Sequence, residues 1–216
     1  GLNKLIGPGT ELRKAVEDIL GHAVNPNNPT DVGFLNSYIN KLKRGRETFS
    51  RLEQYAKDLA YEIREIKIPL INKVSAYIGE KFVITDSAHS GVLSYFSEWA
   101  NSLEMSGKAK STQEAVKFIQ DYIDKLNQFK GSVKKEIFKD AEINIFNPLE
   151  SGIISYFADL TLTGTTPNAV EEKIKDFGKR METIQNNPQL KEAVKNYAGK
   201  EDARLIARFA GMTLGT

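Results

Sequence analysis

Few side chains in this 216-residue chain could do acid–base or metal chemistry: it has two histidines, 28 carboxylate side chains and no cysteine. Without cysteine there is no disulfide framework, thiolate zinc site or cysteine nucleophile. His22 stands at the end of an expected helix, where a protonated imidazole suits the helix dipole. His89 follows Asp86 and Ser87, the residue types of a nucleophile triad, but so tight a spacing points to local capping. A di-iron bundle site needs Glu-x-x-His pairs from two helices, and neither histidine has that setting. The carboxylate pairs Glu62/Glu65, Asp121/Asp124 and Glu171/Glu172 lie among lysines, as in solvated salt bridges on helix surfaces. Gly7-Pro8-Gly9-Thr10 precedes a helix but lacks the strand and lysine of a phosphate loop. No catalytic residue, metal site or cofactor is expected.

Binding chemistry is better represented. Lys41, Lys43, Arg44 and Arg46 form the densest basic cluster. Such a cluster can meet nucleic-acid phosphates or lipid headgroups, with steep salt dependence. Its spacing spreads the charges around a helix and acidic residues follow, as on a solvated face. The whole chain carries 30 basic and 28 acidic residues, a formal net charge of +2, so it projects no global field for polyanions. Trp99, the only tryptophan, falls on an apolar stripe with Phe96 and Leu103 and reads as core. No apolar run approaches the ~20 residues that cross a bilayer. Ile145–Leu162 is apolar but interrupted by Glu150 and Asp159, as in a core helix. The chain begins at Gly1 without a methionine or a visible leader, as a processed chain would.

The elements that position these residues follow from periodicity and punctuation. Leu2–Pro8 reads as an arm. Thr10 caps a helix over about 11–22 that Gly21 closes, and Asn25–Asp31 is a loop. Leu35, Tyr38, Leu42, Gly45, Phe49, Leu52, Ala56, Leu59, Ile63 and Ile66 alternate steps of three and four, a heptad seam. The phase never slips, so one continuous helix through Gly45 is expected. Ile68-Pro69 should kink or end it, with the pattern resuming to Gly79. Phe82–Thr85 is an apolar connector. A helix over about 90–105 stops at Gly107. Ser111 and Glu114 form a capping box for a helix carrying Val116 to Ala141, ended by Asn147-Pro148. Ser151 opens the next helix, and Thr166-Pro167 opens one carrying Val170 to Ile184. Pro188 opens another, holding Leu190, Val194 and Tyr197, and a last short helix is expected at about 201–210.

One heptapeptide recurs. Ser90-Gly91-Val92-Leu93-Ser94-Tyr95-Phe96 returns as Ser151-Gly152-Ile153-Ile154-Ser155-Tyr156-Phe157, 61 residues later. After each copy an Ala-Val pair (Ala115-Val116, Ala169-Val170) opens a longer helix. A fainter third copy, Gly33 to Tyr38, fits with a one-residue insertion. The expected device is serine as cap, glycine for close backbone approach and a Tyr-Phe pair as an inward wedge.

The expected fold class is all-α: a multi-helix bundle of about seven to nine helices, with long antiparallel members and an internal helical-hairpin duplication. Residues 1–216 read as a single helical domain with a hinge near 82–87 and repeat-like units at about 88–146 and 149–199. The expected function is a non-enzymatic protein–protein interaction or structural module, a coiled-coil-like seam meeting a protein partner or another copy of itself. Charge-led binding of nucleic acid or an anionic membrane through Lys41, Lys43, Arg44 and Arg46 is the alternative. An enzyme whose polar residues converge only in three dimensions is the third reading.

Overall fold

The computed structural model describes residues 1–44 and 48–189. Gly45, Arg46 and the helices expected beyond Pro188 fall outside or run past the described residues. Among those described, every regular element is helical, as the periodicity requires. The chain divides into two compact units, Gly1–Asp121 and a second that begins at Tyr122; the 82–87 connector lies inside the first.

The first unit holds α1 (Asn3–Ile6), α2 (Glu11–Leu20), α3 (Pro29–Arg44), α4 (Phe49–Tyr61), a π-helical segment (Glu62–Lys67), α5 (Ile68–Ile78) and α6 (Ser87–Met105). The N-terminal arm is a helical turn rather than a loose arm, because Leu5 and Ile6 are buried. Thr10 caps α2 by accepting the Arg13 N–H at 3.3 Å. The α2 helix packs on α4 and the π segment, α3 on α4, and α6 on α5 and the π segment. Leu12, Val16, Leu59, Ile63, Leu70, Val74 and Leu93 are buried in this unit.

The single helix expected from Leu35 to Ile66 does not form. Thr48, just ahead of α4, has φ −60° and ψ 156°, an extended backbone that no α-helix contains. A seam of threes and fours is compatible with two successive helices that each bury a stripe. Tyr38 and Leu42 serve α3, while Ala56, Leu59, Ile63 and Ile66 serve α4 and the π segment. Phe49, counted in the seam, is 43% exposed at the start of α4.

Pro69 neither ends nor interrupts the helical run. Proline lacks an N–H and its ring crowds the carbonyl four residues back. The chain relieves this just upstream by widening to π geometry, with the Ile68 N–H bonded to the Ile63 carbonyl. Helical backbone therefore continues from Phe49 to Ile78, and Gly79 closes it at φ 85°.

Helix α7 (Thr112–Glu136) is opened by Ser111, which accepts the Glu114 N–H at 3.1 Å. The Glu114 carboxylate reaches back to the Lys110 N–H at 3.0 Å rather than to that of Ser111. The helix stops at Glu136, short of Ala141, because Lys139 (φ 52°) and Asp140 (φ 67°) turn left-handed. The second unit holds α8 (Pro148–Leu162) packed on α9 (Pro167–Gln185). Ile153, Ile154, Phe157, Val170, Ile174 and Phe177 form its core together with Phe129.

Three helices begin on the same local arrangement. Asn28, Asp86 and Asn147 precede α3, α6 and α8, and each side chain accepts the N–H two residues on, at 2.9 Å. Each cap N–H donates to the carbonyl three residues earlier, on Asn25, Val83 and Asn144 (3.0, 3.0 and 3.1 Å). The third helical residue then turns back and accepts the N–H of that same earlier residue. Asp31 takes Asn25 at 3.0 Å, His89 takes Val83 at 3.0 Å and Glu150 takes Asn144 at 3.3 Å. Seven residues before each cap stands a left-handed residue: Gly21, Gly79 and Asp140.

This register corrects the reading of the heptapeptide. Ser90 and Ser151 are not caps. They occupy the fourth helical position, and their hydroxyls bond back to the carbonyls of Ser87 (3.3 Å) and Asn147 (3.1 Å). Tyr38 aligns with Phe96 and Phe157 without any insertion, and all three are buried. Tyr95 is no inward wedge, since it is 64% exposed, whereas Tyr156 is half-buried with its ring centroid 6.4 Å from that of Phe177. Gly33, Gly91 and Gly152 all fall at the fifth helical position, and among the described residues a Cβ on any of them would meet nothing within 4 Å, so no described backbone packs closely on them. Downstream, the caps Ser111 and Thr166 pair Ala115 with Val170, Ile119 with Ile174 and Leu126 with Met181, all buried, whereas Ala169 is exposed.

The open glycines carry a helix-propensity cost with no packing return, so Gly91→Ala and Gly152→Ala should each stabilise the protein by about 0.5–1 kcal/mol. At Gly178 a Cβ would collide with the Glu136 carbonyl, so Gly178→Ala should destabilise by about 1–3 kcal/mol. Chemical denaturation of the three variants checks both signs.

Candidate functional site

Both histidines are committed to the connectors. In the first, His22 lies six residues before the cap and its Nε2 meets the Asp31 carboxylate at 2.9 and 3.0 Å. In the second, the pair is reversed: Glu80 lies six residues before the cap and meets His89 Nε2 at 2.6 Å. His89 is not at the surface; it is buried and lies against the ring of Phe82. Its Nδ1 accepts the Val83 N–H, so that nitrogen is unprotonated and Nε2 carries the proton toward Glu80. The Asn25 N–H bond, assisted by the His22 contact and opposed by burial, holds the Asp31 carboxyl below its ordinary value of 3.8.

A groove of about 510 Å³ lies between α3 and α6 in the first unit. Gly33, Phe34, Ser37, Tyr38 and Lys41 form one wall, and Ser87, Ser90, Leu93 and Ser94 form the other. Ile84 and Thr85 of the connector and Lys67 of the π segment complete it. Its two charged lining residues are both lysines. The equivalent starts of α3 and α6 present the open face of Gly33 and a stripe of serines to the same space. The hydroxyls of Thr30, Thr85, Ser87 and Ser94 have no hydrogen-bond partner among the described residues.

The Lys67 ammonium lies in a half-buried position, and desolvation pushes its pKa below the ordinary lysine value of 10.5. Lys41 repels it in the same direction, while Glu62 and Glu98 act the other way without reaching ion-pair distance among the described residues. The Lys41 ammonium sits 4.7 Å over the Tyr38 ring, a cation–π contact. Lys41 also borders a second concavity of about 490 Å³, lined with Arg44, Arg51, Leu52, Tyr55 and Asp58. The two grooves together present four cations and one carboxylate.

Of the residues singled out from sequence, Lys41 lines both grooves, Arg44 lines the second, Lys43 is exposed and lines neither, and Arg46 lies outside the described residues. Trp99 is half-buried against Phe118, with ring centroids 5.8 Å apart, at the edge of the core rather than within it. Lys67 and the serine stripe were not anticipated. Their sequence signals are a lysine two residues before an in-helix proline and hydroxyls at 87, 90 and 94, at helical spacing. No group of three or more His, Asp or Glu among the described residues is placed to hold a metal, and no described helix is long and apolar enough to cross a membrane. Comparison with known protein families, with curated proteins and with solved structures finds no match.

The Asn25 amide should stay protected from exchange until the pH falls through the lowered Asp31 value. A depressed carboxyl contributes stability above its unfolded pKa and loses it below its folded one. Hydrogen exchange read at Asn25 across the acid range tests this.

Reactivity tests the Lys67 environment. Its rate of amine acylation by a small ester should rise with pH through a midpoint below the ordinary lysine value of 10.5, when read by peptide mapping.

Proposed function

We propose that this chain is a non-enzymatic protein-interaction module built from repeated helical hairpins, and that it docks an acidic segment of a partner protein along the α3–α6 groove. The observation that carries this reading is the groove itself: apolar Phe34 and Leu93 in its two walls, hydroxyls on both walls and lysine as its only charged lining. An acidic, extended segment supplies the complementary charge, and such complementarity favours both association rate and register. The continuation into the second groove past Lys41, toward Arg44 and Arg51, gives a track longer than one side chain.

The hairpin reading rests on the three like connectors, with caps at 28, 86 and 147. Each joins the end of one helix to the start of the next by the same hydrogen bonds. Repeats of this kind present successive helices as a binding surface. The engagement of both histidines in connector bonds supports a binding role over catalysis.

A pool of Asp/Glu-rich nonapeptides should bind the full chain with an affinity that falls as salt rises, measured by fluorescence polarisation. A Cβ at Gly33 meets nothing within 4 Å, so Gly33→Leu should place its side chain in the groove and abolish that binding while the fold is retained. Lys41→Gln should weaken it. If single-stranded oligonucleotide or anionic vesicles bind instead, and Gly33→Leu leaves them unaffected, the charge-led reading through the Lys41–Arg44 surface replaces this one. Light scattering that finds a concentration-dependent dimer lost in Gly33→Leu would assign the groove to a second copy of the chain.

A further inference from the structure

The polar groups in the groove suit one particular anion better than acidic side chains in general. Two ammonium groups, Lys41 and Lys67, share the cavity with no carboxylate in its lining. A single carboxylate matches only one of those charges. A phosphomonoester carries about −1.5 to −2 near neutral pH and three strong acceptor oxygens. That charge answers both lysines, and the oxygens answer the unengaged hydroxyls of Ser94, Thr85 and Ser87, which line the same space. We infer that the floor of the groove is a phosphomonoester subsite, with Lys67 and Lys41 as its cations, that receives a phosphoserine or phosphothreonine of the docked segment. This inference rests on the groove being the docking surface.

Three further observations bear on it. Lys67 is half-buried, so its charge interactions are screened less than those of a surface lysine. Its nearest charged influences are Glu62, Lys41 and Glu98. The repulsion from Lys41 is relieved when a dianion enters between them. Glu62 and Glu98 lie outside the lining. Lys67 also belongs to the π-helical segment, a distortion that recurs at functional sites. Ile63 and Ile66 of the same segment are buried.

The test uses the full chain and three pools of nonapeptides with identical acidic flanks and a central serine, glutamate or phosphoserine. The phosphoserine pool should bind at least about tenfold more tightly than the glutamate pool, as charge-assisted recognition of a dianion requires. Lys67→Gln should remove most of that increment, bringing the phosphoserine pool to within about twofold of the glutamate pool measured on the same variant. If Lys67→Gln does not fold, Ser94→Ala and Lys41→Gln carry the same comparison. Equal binding of the phosphoserine and glutamate pools overturns the subsite and leaves the docking reading standing. Failure of all three pools overturns both. Lys67-dependent binding of phosphatidic acid vesicles, with no preference among the peptides, would assign the phosphate to a lipid and overturn the peptide proposal.

Discussion

Closing one helix and starting another within seven residues leaves backbone N–H groups that must find acceptors. The fold depends on how this is done. At each of the three connectors the residue three before the cap points its N–H at the third side chain of the coming helix, while its carbonyl takes the N–H of the cap. The ring so formed fixes the entry of the helix, and with it the direction of the buried faces of α3, α6 and α8. The acceptor changes from Asp31 to His89 to Glu150, yet the geometry persists. The constraint is thus the unsatisfied amide rather than any one residue type. At the first two connectors a partner of opposite character meets the acceptor: His22 for Asp31 and Glu80 for His89.

The second organising feature is the accommodation of Pro69. A proline deep in a helical run removes one hydrogen bond and crowds another carbonyl. Here the strain is taken up over Glu62–Lys67 by π geometry, which keeps Ile63, Ile66 and Leu70 on one buried stripe. The Gln120 side chain donates to the Pro69 carbonyl at 2.9 Å, tying the start of α7 to the same place. Lys67, the last residue of that π segment, lines the α3–α6 groove.

The glycines link stability to access. At Gly33 the helix forgoes a side chain where the chain itself offers no obstacle to one. The effect is an open wall opposite the α6 serines. At Gly178 the reverse holds, because the Glu136 carbonyl fills the space a Cβ would need. The same residue type thus serves a vacant surface in one place and a tight helix crossing in another. Neither role is readable from the identity of the residue.

Sequence by itself determined the helical class, most helix starts and stops, and the recurrence of a helix-opening stretch. These are local consequences of periodicity, of capping residues such as Thr10, Ser111 and Thr166, and of glycines that accept positive φ. It misplaced what depends on register. The threes and fours from Leu35 to Ile66 fit one helix or two equally well, and only the extended backbone at Thr48 separates them. Serine, aspartate and asparagine all cap helices, so the true caps at Asp86 and Asn147, four residues before the conspicuous serines, emerged only from their hydrogen bonds. The tertiary structure alone decided that Lys41 and Lys67, 26 residues apart in sequence, line one cavity with the α6 hydroxyls. The physical reason is that helical periodicity fixes which face of each helix is buried. Which exposed faces come to oppose each other depends on how those helices pack and on where the connectors turn the chain.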